Sequence, residues 1–172
     1  MNVVLAKKPI VTIDGESLTL EQVLAVARHG AKVNIAPSAR EKVRLSREYV
    51  ESLINENKIA YGITTGFGKF SDVVISKEDA KRLQRNLIMS HATGVGEPLP
   101  HEVVRAIMLL RANALAKGCS GIRLSTLETL IQVLNAGIIP VIPEKGSLGA
   151  SGDLAPLSHM ALVLTGQGEA FV

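Results

Sequence analysis

The sequence predicts a mainly α-helical protein with one short β element, and three observations support this prediction. Apolar residues recur at spacings of three and four, as on the buried face of a helix. Aromatic residues make up only 3% of a chain that is 47% hydrophobic, so the core must be aliphatic. Capping signals precede several of the periodic segments. We therefore expect packed helices in a single domain spanning residues 1–172.

The elements are predicted in order from these signals. A short strand is expected near residues 9–13, and helices are expected at 20–29, 38–56, 77–92, 101–117, 125–136 and 153–165. The capping pairs are Thr19 with Gln22, Ser38 with Glu41, Ser76 with Asp79, and Ser125 with Glu128. Residues 169–172 are typical of the first residues of a strand, with no partner strand following.

Two helices have further signals. Pro100 favours a helix start, and the next helix has apolar residues around much of its circumference, which predicts burial: Val104, Ile107, Met108, Leu110, Ala112 and Leu115. The helix from Ser125 should stop at Gly137, because glycine favours a helix end and two prolines follow. Two Gly-rich loops, 62–68 and 146–152, interrupt the helical periodicity.

Composition excludes several classes of function. The 19 basic and 16 acidic residues are mixed along the chain, without the basic stripe that nucleic-acid binding needs. The single cysteine, Cys119, cannot form an internal disulfide and is compatible with a reducing cytoplasm. The apolar run before Lys7 is too short for a signal peptide or a membrane span. We expect a cytoplasmic protein without nucleic-acid or membrane partners.

The two loops fail the common catalytic and nucleotide-binding patterns. Ile63 and Phe70 stand where a phosphate-binding loop needs Gly and Ser or Thr, and Ser71 replaces the last Gly of a dinucleotide fingerprint. Asp153 stands where the hydrolase serine elbow needs glycine. The four histidines include no pair three or four residues apart. We predict no nucleotide cofactor and no metal.

Residues 146–159 read GSLGASGDLAPLSH. This stretch closely resembles the signature of the aromatic amino acid ammonia-lyase and aminomutase family, in which an Ala-Ser-Gly triplet cyclises to 4-methylideneimidazol-5-one. The resemblance implies that Ala150, Ser151 and Gly152 form this electrophile, with Asp153 in the supporting loop. Small side chains at Ala150 and Gly152 leave room for the ring closure. By itself the triplet is also compatible with a small-residue loop in which Asp153 caps the next helix.

Residues 61–68, YGITTGFG, resemble the family's second signature. The resemblance implies that Tyr61 is the base that removes the substrate's β proton. Since a phenol has a pKa of about 10, its anion needs stabilisation, which backbone donors of the loop glycines, including Gly68, can supply. Taken alone, Tyr61 is compatible with a half-buried tyrosine beside a turn.

Residues 83–91, LQRNLIMSH, resemble the family's third segment and indicate the substrate. Histidine ammonia-lyases carry Ser-His here, whereas the phenylalanine and tyrosine enzymes carry pairs such as Phe-Leu or His-Leu. His91 is therefore expected to hydrogen-bond the substrate imidazole, which discriminates against a phenyl ring. The alternative is a histidine satisfied in the core or at a helix end.

The resemblance implies a mainly α homotetrameric lyase that eliminates ammonia from L-histidine to give trans-urocanate. Family members are much longer, and their later segments complete the substrate pocket. We therefore expect this chain alone to bind L-histidine poorly, to turn over little or none, and to cyclise its triplet incompletely or not at all. Two alternatives stay open: a lyase or aminomutase acting on phenylalanine or tyrosine, and a non-catalytic self-associating fragment with a linear triplet.

Overall fold

The computed structural model describes residues 9–66, 68–70, 73, 75, 77–149 and 152–172. Six α-helices within these ranges confirm the predicted fold class, and each lies within two residues of its predicted bounds. The helices are α1 (Leu20–Ala27), α2 (Pro37–Asn55), α3 (Lys77–His91), α4 (His101–Ala116), α5 (Leu124–Ala136) and α6 (Leu154–Leu164). A turn of 3-10 helix follows the first Gly-rich loop, at Gly68–Phe70.

The described strands form three two-stranded sheets, and most of them were not predicted. The parallel pair is β1 (Ile10–Ile13) with β2 (Lys32–Ile35); the antiparallel pairs are β3 (Val95–Pro98) with β5 (Pro143–Lys145), and β4 (Ile139–Pro140) with β6 (Ala170–Phe171). The sequence predicted only β1 and the start of β6. Strands of two to four residues, several with proline, are too short to show a period of two.

The last strand pairs with an earlier strand, and the sequence did not predict this pairing. β6 pairs with β4, so that Phe171 lies opposite Ile139, and the N–H of Val141 donates to the Glu169 carbonyl at 2.8 Å. The partner, β4, precedes α6 in the chain, and its two residues are too few to show a strand pattern. The Phe171 ring also packs at 4.8 Å from the ring of His101.

The capping signals have mixed outcomes. Thr19 and Gln22 form the predicted reciprocal capping box of α1. The Ser38 and Ser125 predictions are wrong, because α2 and α5 begin one residue before these serines and have no side-chain cap. Pro37 sets the start of α2. Proline lacks an N–H, and this costs nothing in the first turn, where backbone N–H groups have no acceptor within the helix. Ser76 lies outside the described residues.

Helix α4 is the centre of the aliphatic core and contacts α1, α2 and α5. Its buried residues are Val104, Met108, Leu109, Ala112, Leu115 and Ala116. The prediction for Leu110 is wrong, since it is 51% exposed while its neighbour Leu109 occupies the core. The Arg105 guanidinium donates to the carbonyls of Val26 and Leu134, at 3.0 and 3.2 Å, which satisfies carbonyls at the ends of α1 and α5.

The arrangement of α3, α6 and the β3–β5 sheet positions the candidate site. α3 ends at His91, and a short turn leads directly into β3. β5 leads into the second Gly-rich loop, and that loop leads into α6. Because β3 pairs with β5 and α3 packs on α6, the end of α3 and the start of α6 lie side by side.

Candidate active site

The predicted cyclising triplet lies only partly within the described residues. Ala150 and Ser151 fall outside them, while Gly152 and both flanks are described. Gly152 has a φ of +87°, a left-handed conformation that residues with a side chain rarely adopt. A Cβ added at Gly149 or Gly152 would meet no described atom within 4 Å beyond the glycine's chain neighbours. The backbone at Gly149 and Gly152 is therefore not crowded by other described residues.

Among the described residues, two hydrogen bonds bridge the triplet loop, and one of them joins the N–H of Gly152 to the Gly149 carbonyl at 3.5 Å. The hydroxyl of Ser147 donates to the carboxylate of Asp153, which fastens the two flanks of the loop together. Asp153 occupies the N-cap position of α6, as the alternative of a small-residue loop has it, although its carboxylate makes no capping bond to the helix. α6 begins at Leu154 with Pro156 in its first turn, so only Asp153 separates its positive end from Gly152.

The start of the triplet loop packs against the turn that follows α3. A Cβ added at Gly146 would lie 3.0 Å from the Cα of Gly94 and 3.4 Å from the Cβ of Ala155. The N–H of Gly94 donates to Nε2 of His159, on α6, at 3.0 Å. Sequence reasoning missed Gly94 and His159 as parts of the site. The available signal was an isolated glycine soon after the Ser-His pair, which is typical of a close backbone approach.

His91 is the last residue of α3 and is half-buried. Its Nδ1 lies 2.8 Å from the carbonyl oxygen of Leu87, and the Ser90 hydroxyl donates to the same oxygen at 2.8 Å. Because a carbonyl only accepts, Nδ1 carries the proton and Nε2 is left as an acceptor in the neutral ring. The position agrees with a helix-end histidine, and the tautomer suits an acceptor for an N–H donor.

Tyr61 lies in the turn between α2 and the 3-10 helix and is 64% exposed, so the alternative of a half-buried tyrosine is wrong. The backbone N–H of Gly68 donates to its hydroxyl oxygen at 3.4 Å, the kind of donor predicted from the loop glycines. Thr65, which is buried, holds the turn by accepting from the N–H of Gly62 at 3.2 Å. The turn therefore presents the phenol to solvent with a backbone donor at its oxygen.

The structure brings His91 and the triplet loop together at Gly94, while Tyr61 is tied to its own loop through Gly68. A cleft of about 1300 Å³ lies behind the Tyr61 turn. It is lined by the C-terminal half of α2, residues 62–64, Gln84 of α3 and residues 120–123. Its walls are separate from the predicted catalytic side chains.

Two observations on the described ranges concern metal binding and membrane insertion. Within them, no three His, Cys, Asp or Glu side chains converge as they would around a metal ion. No helix in the same part of the chain is both long and apolar enough to cross a bilayer.

Comparison with known proteins decides the family. The sequence model of the aromatic amino acid lyases matches residues 18–172. The chain belongs to the aromatic amino acid lyase family. The match includes all three segments that carry the predicted site, together with helices α1 to α6.

Individual members of the aromatic amino acid lyase family resemble the chain over one part of their length. The histidine ammonia-lyase of Caldanaerobacter subterraneus subsp. tengcongensis is 66% identical over 161 residues, which are 94% of this chain and 32% of that enzyme. Among solved structures, the tyrosine aminomutase from Streptomyces globisporus has a TM-score of 0.89 and 44% identity, covering 95% of this chain and 30% of that one. The histidine ammonia-lyase from Trypanosoma cruzi has a TM-score of 0.80 and 41% identity, covering 89% and 29%. The chain thus spans about a third of the curated relatives it matches.

Proposed function

We propose that this chain is the N-terminal portion of an ammonia-lyase that eliminates ammonia from L-histidine to give trans-urocanate. Curated relatives that are 56–66% identical to it carry the name histidine ammonia-lyase. The observation that carries the choice of substrate is the geometry of His91. Its Nδ1–H donates to the Leu87 carbonyl, so its Nε2 is the nitrogen that accepts.

The accepting Nε2 of His91 favours a substrate with an N–H on its ring. The imidazole of L-histidine offers such a donor, whereas a phenyl ring would leave Nε2 without a partner. A site built to hydrogen-bond a polar group rejects an analogue that lacks this group far more strongly than an apolar pocket rejects one extra methylene. His91 would thus bind and orient the substrate ring.

Tyr61 would remove the β proton of the substrate. The N–H of Gly68 donates to the phenol oxygen, and this bond strengthens as the oxygen gains negative charge. Tyr61 as a whole is 64% exposed, so a substrate can approach this residue. Tyr61 would first lose its own proton to solvent, and its phenolate oxygen would then take the β proton. The electrons of the broken C–H bond would form the double bond between the α and β carbons, while those of the C–N bond would leave with ammonia.

The described flanks fit a 4-methylideneimidazol-5-one formed from Ala150, Ser151 and Gly152. Gly152 has the left-handed backbone, no other described residue crowds it, and the bond between Ser147 and Asp153 fastens the flanks. Once formed, the group supplies an electrophilic carbon that activates the substrate amine as a leaving group. The N-terminus of α6 would favour negative charge at this position.

This chain spans about a third of its relatives' length, so we assign the other parts of the proposed enzyme to further segments. Its relatives are about three times as long, so we propose that residues 1–172 form one N-terminal domain and that other segments bind the substrate carboxylate. The isolated chain would bind L-histidine weakly and turn over little or none. We propose a cytoplasmic homo-oligomer, a tetramer in the complete protein.

A second candidate is a lyase or aminomutase acting on tyrosine or phenylalanine. The TM-score of 0.89 with a tyrosine aminomutase favours it. The accepting nitrogen of His91 argues against phenylalanine, because a phenyl ring offers it no donor. A tyrosine hydroxyl can donate to that nitrogen, so the argument against tyrosine is the 56–66% identity of the chain to histidine ammonia-lyases. A comparison of substrates separates the two candidates.

The proposal is tested by mass and by substrate preference. In intact-mass spectra we expect a fraction of the chain to be lighter by two water molecules, and this fraction should be absent from Ser151→Ala. Wholly linear mass would support the non-catalytic fragment with an uncyclised triplet. In nitrogen-detected NMR, L-histidine should perturb the His91 ring and L-phenylalanine should not. If L-phenylalanine binds and L-histidine does not, the second candidate is favoured. The same two ligands are compared on His91→Leu.

A further inference from the structure

We propose that His159 is a positioning residue that holds the turn after His91 against the triplet loop. This inference rests on the proposed function, since it gives a role to a contact between the substrate-binding residue and the cyclising loop. His159 lies on α6, in the second turn after the triplet, and its imidazole reaches back toward the end of α3.

The contact is a single defined hydrogen bond. The N–H of Gly94 donates to Nε2 of His159 at 3.0 Å, across 65 residues of chain. A nitrogen that accepts carries no proton, so the proton of the neutral ring lies on Nδ1. Burial lowers the pKa of His159, which favours the neutral ring that this bond requires. His159 is therefore held in one tautomer by its surroundings.

Gly94 is enclosed on two sides, so its position determines that of the loop. A Cβ at Gly94 would lie 3.0 Å from Nε2 of His159 and 3.2 Å from the Cβ of Pro143. On another side, the Cα of Gly94 would lie 3.0 Å from a Cβ added at Gly146, the first residue of the triplet loop. A shift of Gly94 away from His159 must therefore displace Gly146 or the turn itself.

The same turn is joined to His91. The N–H of Thr93 donates to the His91 carbonyl at 2.9 Å, and the N–H of Ala92 donates to Ile88 at 3.1 Å. These bonds continue the end of α3 almost to Gly94. The bond from Gly94 to His159 therefore sets the distance between His91, which would bind the substrate ring, and the loop that carries Gly152.

The test uses two substitutions of His159 in the 172-residue chain. His159→Gln keeps an acceptor at a similar reach, and His159→Phe keeps the ring but removes the acceptor. We expect the Gly94 amide to exchange about tenfold faster in His159→Phe, because it loses its hydrogen bond. The His91 ring and Gly146 amide signals should shift and the cyclised fraction should fall, and His159→Gln should restore all of these.

The outcomes separate the inference from the proposed function. If His159→Phe leaves Gly94 exchange and the His91 signals as in the wild type, the positioning role is wrong. If His159→Phe does not fold, the wild-type chain provides the test. Nitrogen-detected NMR shows which ring nitrogen of His159 carries the proton, and a proton on Nε2 would overturn the proposal. If the wild type is wholly linear while the His91 and Gly146 signals respond as expected, cyclisation fails and the positioning role stands.

Discussion

Asn135→Ala is expected to lower the free energy of unfolding by about 2–4 kcal/mol. The Asn135 side chain, near the end of α5, acts as a short partner strand for β2. Its Oδ1 accepts from the N–H of Val33 and its Nδ2 donates to the Val33 carbonyl, both at 2.8 Å. Alanine removes both partners. Each buried polar group left unsatisfied costs about 1–3 kcal/mol, and the partly open site puts each group in the lower half of that range.

Thermal and urea unfolding would measure this loss. For a chain of this length we expect Tm to fall by roughly 4–16 °C, at about 2–4 °C for each kcal/mol. Asn135→Asp should be destabilised at least as much, because its second oxygen would face the Val33 carbonyl. Asn55→Ala is the matched control, since Asn55 is exposed at the end of α2 and should change stability by about 0.5 kcal/mol or less.

The reasoning would be refuted if Asn135→Ala unfolded within about 0.5 kcal/mol of the wild type. That result would mean that water satisfies the edge of β2 after the substitution. A second refuting result is an Asn135→Asp protein as stable as the wild type, because the Val33 carbonyl would then not depend on the donor of Asn135.

Two further predictions concern a glycine and a carboxylate. Gly146→Ala should destabilise the chain by about 1–3 kcal/mol in urea unfolding, because its Cβ would lie 3.0 Å from the backbone of Gly94. Gly149→Ala is the control and should change little, since its Cβ would meet no described atom within 4 Å beyond its chain neighbours. Backbone donors from Ser17 and Glu16 lower the pKa of Asp14 from 3.8 to about 2, so its stabilising effect should be present above pH 3.8 and lost toward pH 2. Carbon-detected NMR would show an Asp14 midpoint near 2, and a midpoint near 3.8 would contradict the contact.

The helices could be predicted because their signals are local. Leu127, Leu130, Ile131 and Leu134 recur at spacings of three and four, and all four are buried on one face of α5. The end of this helix at Gly137 was also predictable, since Gly137 takes the left-handed conformation with a φ of +83°. Such patterns need no knowledge of the rest of the chain.

The short strands and the contacts of the candidate site could not be predicted in this way. β3 becomes a strand only because β5 lies beside it, and no periodicity in either segment indicates the pairing. The residue types of the site were indicated by three motifs, but the bond between Gly94 and His159 joins residues far apart in sequence. Ser38 and Ser125 show the opposite error. Both have the local pattern of a capping box, but each helix begins one residue earlier and has no side-chain cap.

The bond between Gly94 and His159 also has a consequence for the order of folding. It closes a loop of 65 residues that contains α4 and α5, which pack on each other after only a short connection. Closing a long loop costs more chain entropy than closing a short one, so nearby contacts form first. The α4–α5 pair should therefore assemble before β3 meets β5. The surroundings of the triplet would then be among the last parts of the chain to become ordered, and covalent maturation of the triplet would follow folding.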